Sequence, residues 1–502
     1  MQSCTANTRE ALSPCTLVIF GASGDLTARK LIPALHGLFC TDSQPRPFQI
    51  VGCARTPLNT EAFRDLLLEA LTNRGPEPPA GWQKFAQHLA YIPVQYDDAQ
   101  AFTELAASLR QMDRDHQTQG NRIFYLATPP SLYPVIAAQL GRAGLAAEKT
   151  GGNGWVRIVV EKPFGRDLAS ALELDQVLHQ SFHEHQIFRI DHYLAKETVQ
   201  NILMLRFANT ICEPLWNRGY IDYIGIMAAE QLGVEHRAGY YEQTGILRDM
   251  FQNHMQQLLA LTAMEPPSLF EAERVRDEKA KCSRSLKPLD RATLAEHLVI
   301  GQYGSGAIDG RRVAGYRDEP GVALASRTPT FAMLRLFVDN WRWRDVPFYL
   351  ISGKRLARKE TKIVVQFKRV PHSMFRDMLA ERIPANRLTL GIYPDEEIDI
   401  TFQTKTPGPR VCLRPVRMDF KYNQNDKAPA LDAYAKVLLD VIQGDHMLFW
   451  RQDGVELAWS FLTPILEECE ACGDRAQQLH PYPAGSWGPE AAQEWMRLIL
   501  NN

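Results

Sequence analysis

Hydrophobic and polar positions divide the chain into two stretches of different rhythm. In the first, continuous apolar runs alternate with amphipathic segments. Thr16–Phe20 (TLVIF), bounded by Pro14 and Gly21, has no polar face and predicts a strand buried on both sides. Arg29–Phe39 carries helical periodicity, Phe48–Cys53 is strand-like, and Glu61–Thr72 predicts an amphipathic helix. Apolar strands at Arg122–Ala127 and Val156–Glu161 flank a helical stretch, Leu132–Leu145, and a further β-type run covers Gln186–Ile190. Such alternation predicts a parallel, doubly wound sheet, a Rossmann-like α/β domain. Beyond Asn201 the rhythm changes. Strand-like runs at Tyr220–Ala228, Thr330–Phe337, Lys362–Phe367 and Glu397–Gln403 are set among helices at Gly245–Met264 and Leu269–Lys281. Ser268 and Glu271 have capping-box spacing for the second of these helices. This half predicts a larger α+β domain with a mostly antiparallel sheet. The change of pattern places the boundary near Lys196–Asn201, giving domains 1–198 and 199–502.

Composition narrows the function classes. At 502 residues the chain exceeds what one growing core supports, in keeping with two domains. A formal net charge of −2 offers no basic field, so no nucleic-acid partner is expected. The chain has no run of eighteen apolar residues, and Met1–Pro14 lacks the features of a signal peptide; a cytoplasmic protein with no membrane partner is expected. Cysteines such as Cys15, Cys53 and Cys412 fall in apolar runs and read as reduced core thiols. Cys469 and Cys472 form a lone CxxC without a second pair. His179, His183 and His185 lack a carboxylate partner on a shared face, so no metal is expected.

Five stretches carry chemistry. GASGDLTARK, Gly21–Lys30, follows the first strand: Gly21 permits the tight turn, Gly24 lets the backbone approach a pyrophosphate, and a helix from about Asp25 offers unpaired amides. Thr27 stands where a third small residue would pack helix against strand. The second strand ends in Arg55 where NAD-binding chains place an acidic residue, and a guanidinium suits a 2′-phosphate, favouring NADP. Glu161-Lys162-Pro163 puts a lysine at the carboxyl end of a buried strand, in the ligand crevice of open α/β sheets. RIDHYLAKE, Arg189–Glu197, gathers Asp191, His192, Tyr193 and Lys196; a helix starting at Tyr193–Leu194 would put His192 and Lys196 at its anion-binding end. In Gly245–Met264 the apolar positions Leu247, Met250, Phe251, Leu258 and Leu261 trace one stripe that includes His254, a candidate general base.

Together these segments resemble the glucose-6-phosphate dehydrogenases over essentially the whole length. GASGDLT, NRIFYLATPP (Asn121–Pro130), EKPFGRDL, RIDHYLAKE, GYYEQTGILRDMFQNH, SGKRLARK (Ser352–Lys359) and Gly485–Pro489 occur in the family's order. The resemblance implies oxidation of glucose 6-phosphate at carbon 1 to 6-phospho-D-glucono-1,5-lactone, the first step of the oxidative pentose phosphate pathway, with hydride passing to NADP and NAD as the weaker alternative. It implies that His254 is the base and Asp191 the carboxylate that orients it. His192 and Lys196, supported by Tyr193, match the phosphate group's ligands, and Lys162 the lysine between sugar and nicotinamide. Glu230 and Asp249 match sugar-hydroxyl acceptors, and Lys354 and Lys359 a basic pair from the second domain. Gly21, Ala22, Ser23, Gly24, Asp25, Leu26, Thr27, Ala28, Arg55, Tyr125 and Lys162 match coenzyme positions. A homodimer or homotetramer built on the second domain's sheet is also implied. Three residues depart from the pattern: Ala195 and His236 replace glycines, and Thr27 an alanine. The alternatives are a related sugar oxidoreductase and a catalytically idle NADP-binding regulator; DHYLxKE followed by RDMxQNH separates this chain from the former.

Overall fold

A computed structural model describes residues 12–41, 43, 47–72, 79–148, 154–289, 292–375, 383–409, 412–421, 432–471 and 479–500, without the side chains of His236 and Ala471. The chain separates into two compact units. The first draws on Met1–Ala195, Leu269–Arg276 and Ala430–Glu456, the second on Lys196–Ser268, Asp277–Pro429 and Leu457–Asn502. Two downstream segments thus return to the first unit, which no change of sequence rhythm signals.

In the first unit six parallel strands, β1 (Cys15–Phe20), β2 (Phe48–Ala54), β3 (Leu89–Pro93), β4 (Arg122–Leu126), β5 (Val156–Val160) and β6 (Ile187–Arg189), lie in the order β3-β2-β1-β4-β5-β6. Every residue of β1 and β2 is buried, which is why these runs carry no polar face. The strand order reverses between β1 and β4, so their carboxyl ends open the crevice in which such sheets bind ligands. Helix Ala433–Gln443 packs Ala435, Leu438 and Val441 into the core of this unit with Leu17, Leu35, Ile50 and Phe63. Arg157 donates to the carbonyls of Val441 and Ile442 at 2.5 and 2.6 Å, satisfying the last turn of that helix.

The second unit is built on a nine-stranded mixed sheet. Its strands are β7 (Ile221–Ala229), β8 (Leu298–Gly304), β11 (Phe331–Phe337), β12 (Pro347–Gly353), β13 (Glu360–Phe367), β14 (Arg387–Tyr393), β15 (Glu397–Lys405), β16 (Leu413–Lys421) and β17 (Leu479–Pro483), with β9 (Gly306–Ile308) and β10 (Arg311–Val313) forming a separate hairpin. The order is β16-β15-β14-β13-β7-β12-β11-β8-β17, with only β7–β12 and β8–β17 parallel. The expected mostly antiparallel sheet is therefore present. Among the described residues no helix is long and apolar enough to cross a membrane.

Several local expectations are corrected. Gly245–Met264 is not an amphipathic helix: Leu247–Met255 winds as a π-helix, Gln256–Ala263 as an α-helix, and only Arg248 of these residues escapes burial. Both faces are covered, so the apolar stripe held no information about a solvent side. The next helix starts at Ala272, so the Ser268–Glu271 capping box lies ahead of it. Cys412 is exposed, not core; Cys472 lies outside the described residues.

Candidate functional site

Both units carry functional side chains. In the first, Gly21 ends β1 with φ +83°, and its N–H donates to the Cys53 carbonyl at 2.9 Å and to the Tyr96 hydroxyl at 3.0 Å. A Cβ at Gly21 would meet the Ala127 carbonyl oxygen at 2.4 Å, so this turn tolerates no side chain. The Gly24 N–H closes back on the Gly21 carbonyl at 2.9 Å, and helix begins at Asp25. Ala22 is buried while Ser23, Gly24, Leu26 and Ala28 are partly exposed. Thr27 is buried and donates to the Gly21 carbonyl at 3.2 Å, so the hydroxyl braces the turn in addition to packing the helix. Thr27–Leu31 continues as a π-helical segment.

Past the end of β2, Arg55 is exposed, its guanidinium 5.9 Å from the Tyr96 ring. Ser23 Oγ and Thr56 Oγ1 lie 3.2 Å apart, so a hydroxyl pair joins the guanidinium at the turn. No sequence motif marks Tyr96 or Thr56; the parallel β1–β2 pairing brings Thr56 to the turn, and the parallel β2–β3 pairing brings Tyr96.

At the ends of β4 and β5, Tyr125 is fully buried and donates to Glu161 Oε1 at 2.6 Å. Its hydroxyl thus supports the EKP segment from beneath. Burial pushes the Glu161 carboxyl above its ordinary range against the opposing Tyr125 hydrogen bond and the Lys162 charge. Tyr434 also bonds Glu161 and is itself raised by burial. Its ring lies parallel to His192, with centroids 6.5 Å apart, and His192 meets Tyr193 edge-on at 5.3 Å. Tyr434 was likewise invisible in the sequence, standing far from any motif.

RIDHYLAKE turns before it becomes helical. Leu194 N–H donates to the Asp191 carbonyl at 3.1 Å, and Tyr193 N–H to Asp191 Oδ1 at 3.0 Å. The helix, Glu197–Phe207, begins later than expected, with Lys196 at its N-cap. The side chain of Asp191 thus closes the turn, a common use of aspartate, and this delays the helix. Ala195 is buried in the first unit's core, where its methyl packs. The side chain of His236 lies outside the described residues.

In the second unit, β7 and β12 run parallel with Ala229 opposite Gly353, so the next residues, Glu230 and Lys354, leave the sheet side by side. Lys354, 2% exposed, has its ammonium 2.5 Å from Glu230 Oε2 and 3.7 Å from Asp249 Oδ2. Asp249 and His254 are both buried on the π-helical segment. They stand five residues apart; α-helical winding would set them on different faces, whereas i→i+5 winding draws them toward one. Lys359 does not join Lys354: it is exposed, its ammonium 4.2 Å from the Tyr393 ring, which Lys196 approaches at 5.8 Å. The structure thus splits the expected lysine pair between a carboxylate cluster and an aromatic platform, and Tyr393 is a further residue the sequence did not reveal.

The histidine run is also corrected. His179 does have carboxylate partners, Asp175 at 3.1 Å and Glu184 at 3.3 Å. Arg189 already engages both carboxylates, at 2.5 and 2.9 Å, so a cation there would meet a guanidinium.

The chain is similar to known proteins over most of its length. The family model "Glucose-6-phosphate dehydrogenase, NAD binding domain" matches residues 18–201, and "Glucose-6-phosphate dehydrogenase, C-terminal domain" matches 203–498. A glucose-6-phosphate 1-dehydrogenase of Aggregatibacter actinomycetemcomitans is 47% identical over 480 residues, covering 96% of this chain and 95% of that protein. One of Treponema pallidum is 46% identical, covering 97% and 94%. A solved glucose-6-phosphate dehydrogenase in complex with glucose 6-phosphate superposes with TM-score 0.87 at 35% identity, covering 96% of this chain and 97% of that one. The chain belongs to the glucose-6-phosphate dehydrogenase family.

Proposed function

We propose that the protein is a glucose-6-phosphate 1-dehydrogenase, oxidising D-glucose 6-phosphate at carbon 1 to 6-phospho-D-glucono-1,5-lactone with NADP, at the entry to the oxidative pentose phosphate pathway. The observation that carries this proposal is the group formed by Glu230 with the buried Asp249 and Lys354, Asp249 lying on the same π-helical segment as His254. Two carboxylates accept from sugar hydroxyls, and the ammonium holds them in place without a metal.

His254 takes the proton of the carbon 1 hydroxyl, and Asp191 is the carboxylate assigned to orient it and stabilise the imidazolium. His192 and Lys196, supported by Tyr193, bind the phosphate, whose interaction energy, remote from the reacting carbon, fixes the sugar's pose, and Lys359 is a further basic substrate ligand. Lys162 lies between sugar and coenzyme. The turn at Gly21, left-handed and closed to a side chain by the Ala127 carbonyl, is the tight turn a dinucleotide site needs after its first strand, with Gly24 as the residue whose backbone approaches the pyrophosphate. NADP, when bound, supplies the hydride acceptor. Arg55, with the hydroxyls of Ser23 and Thr56, is suited to a 2′-phosphate and favours NADP over NAD. On β15 and β16 the apolar side chains Phe402, Met418 and Phe420 are exposed, supporting self-association into a homodimer or a dimer of dimers. A cytoplasmic location accords with these substrates.

The test is NADPH formation, followed by absorbance, from glucose 6-phosphate and NADP with the purified protein. Turnover is expected. NADP binding without turnover would instead make the protein a regulator.

A further inference from the structure

Tyr241 lies on helix Ala238–Ile246 of the second unit with 2% of its surface exposed. The Lys354 ammonium stands 5.0 Å from its ring centroid, and the same ammonium reaches Glu230 and Asp249. The ring is fixed edge-on against Tyr316 at 6.1 Å. The tyrosines around it are all engaged: Tyr303 donates to Glu319, Tyr316 to Glu242 and Tyr482 to the Lys354 carbonyl. Among the described residues, the hydroxyl of Tyr241 has no hydrogen-bond partner. A buried hydroxyl in that state destabilises the fold unless something else supplies the bond. Burial, reinforced by the Asp249 carboxylate, pushes this phenol well above its ordinary range, so it remains a donor.

We propose that Tyr241 is a specificity-determining residue whose hydroxyl hydrogen-bonds a ring hydroxyl of the sugar phosphate held by Glu230, Asp249 and Lys354. The proposal rests on the reading of those three residues as sugar ligands. The ring of Tyr241 keeps Lys354 in place by cation–π attraction, and its hydroxyl adds a neutral donor where the other groups are charged. A site that hydrogen-bonds a substrate hydroxyl rejects the analogue lacking it, because the protein group is then left unpaired.

The test is Tyr241→Phe in the full-length protein, assayed with glucose 6-phosphate and its 2-deoxy, 3-deoxy and 4-deoxy analogues. The variant keeps the ring and loses no protein hydrogen bond. The expected result is a fall of roughly tenfold in kcat/KM for glucose 6-phosphate, the scale of one hydrogen bond. For one deoxy analogue the fall should vanish, so that discrimination against it shrinks by the same factor. Unchanged kinetics with a raised melting temperature would overturn the proposal, placing the hydroxyl on an internal water. Equal losses on all four substrates would overturn it too, as an indirect effect. Turnover by the wild type in the same series separates the two levels: if it is idle, the reading of the site and this assignment fall together.

Discussion

Among the described residues two segments wind as π-helices, and they put that winding to different uses. Thr27–Leu31, behind the glycine turn of the first unit, leaves Arg29 and Lys30 in solvent and keeps only Thr27 and Leu31 inside. Its neighbourhood works through backbone: a left-handed glycine, a carbonyl braced by Thr27, and amides at the start of a helix. Leu247–Met255 in the second unit is buried apart from Arg248, and among its buried residues are Asp249, Gln252, Asn253 and His254. There the chemistry resides in side chains. A backbone site binds what every dinucleotide shares, whereas a side-chain site selects one sugar and moves one proton, so the two should fail differently when altered.

His254→Asn gives the largest effect expected. Turnover should fall by roughly a hundredfold to ten-thousandfold, the usual worth of a general base, with the KM for glucose 6-phosphate little changed in steady-state kinetics. Nearly unchanged turnover would remove the second segment from the chemistry. Next comes Lys354→Met, which leaves Glu230 and Asp249 without their ammonium. Asp249 is buried and Glu230 about a third exposed, so stability should drop by roughly 3 kcal/mol in urea unfolding, with a raised sugar KM. An unaltered midpoint would mean the cluster is solvated. Arg55→Ala sharpens the first region: kcat/KM with NADP should fall roughly tenfold to a hundredfold while that with NAD holds, and parallel losses would break the 2′-phosphate assignment.

The smallest effect concerns Glu161. Burial raises its carboxyl above the ordinary value in the folded state, against the Tyr125 hydrogen bond and Lys162. The folded protein therefore holds this proton more tightly than the unfolded chain, so the contribution to stability is present below the ordinary carboxylate value and lost as pH rises through the folded one. Glu161→Gln should flatten the dependence of melting temperature on pH in the mildly acidic range. A slope identical to that of the wild type would assign the titration to another group.

What the sequence disclosed follows the same division. The turn at Gly21 was legible because its requirement is steric and only glycine meets it; the buried strands were legible because apolar runs leave no second interpretation. Side chains that arrive from afar were not. Tyr96, Tyr393 and Tyr434 belong to no motif, and their roles arise from strand register and from a segment, Ala430–Glu456, that returns to the first unit. Periodicity misled where its premise failed, since a helix buried on all sides has no solvent face for an apolar stripe to oppose. The helix start in RIDHYLAKE was misplaced because the Asp191 side chain closes a turn that competes with helix.

Coenzyme grip and proton transfer belong to separate regions, so the decisive quantity is the dissociation constant for NADPH of His254→Asn, read from the coenzyme's fluorescence. The expected value matches the wild type although turnover has collapsed. A weakening of coenzyme binding as large as the loss of turnover would contradict that separation.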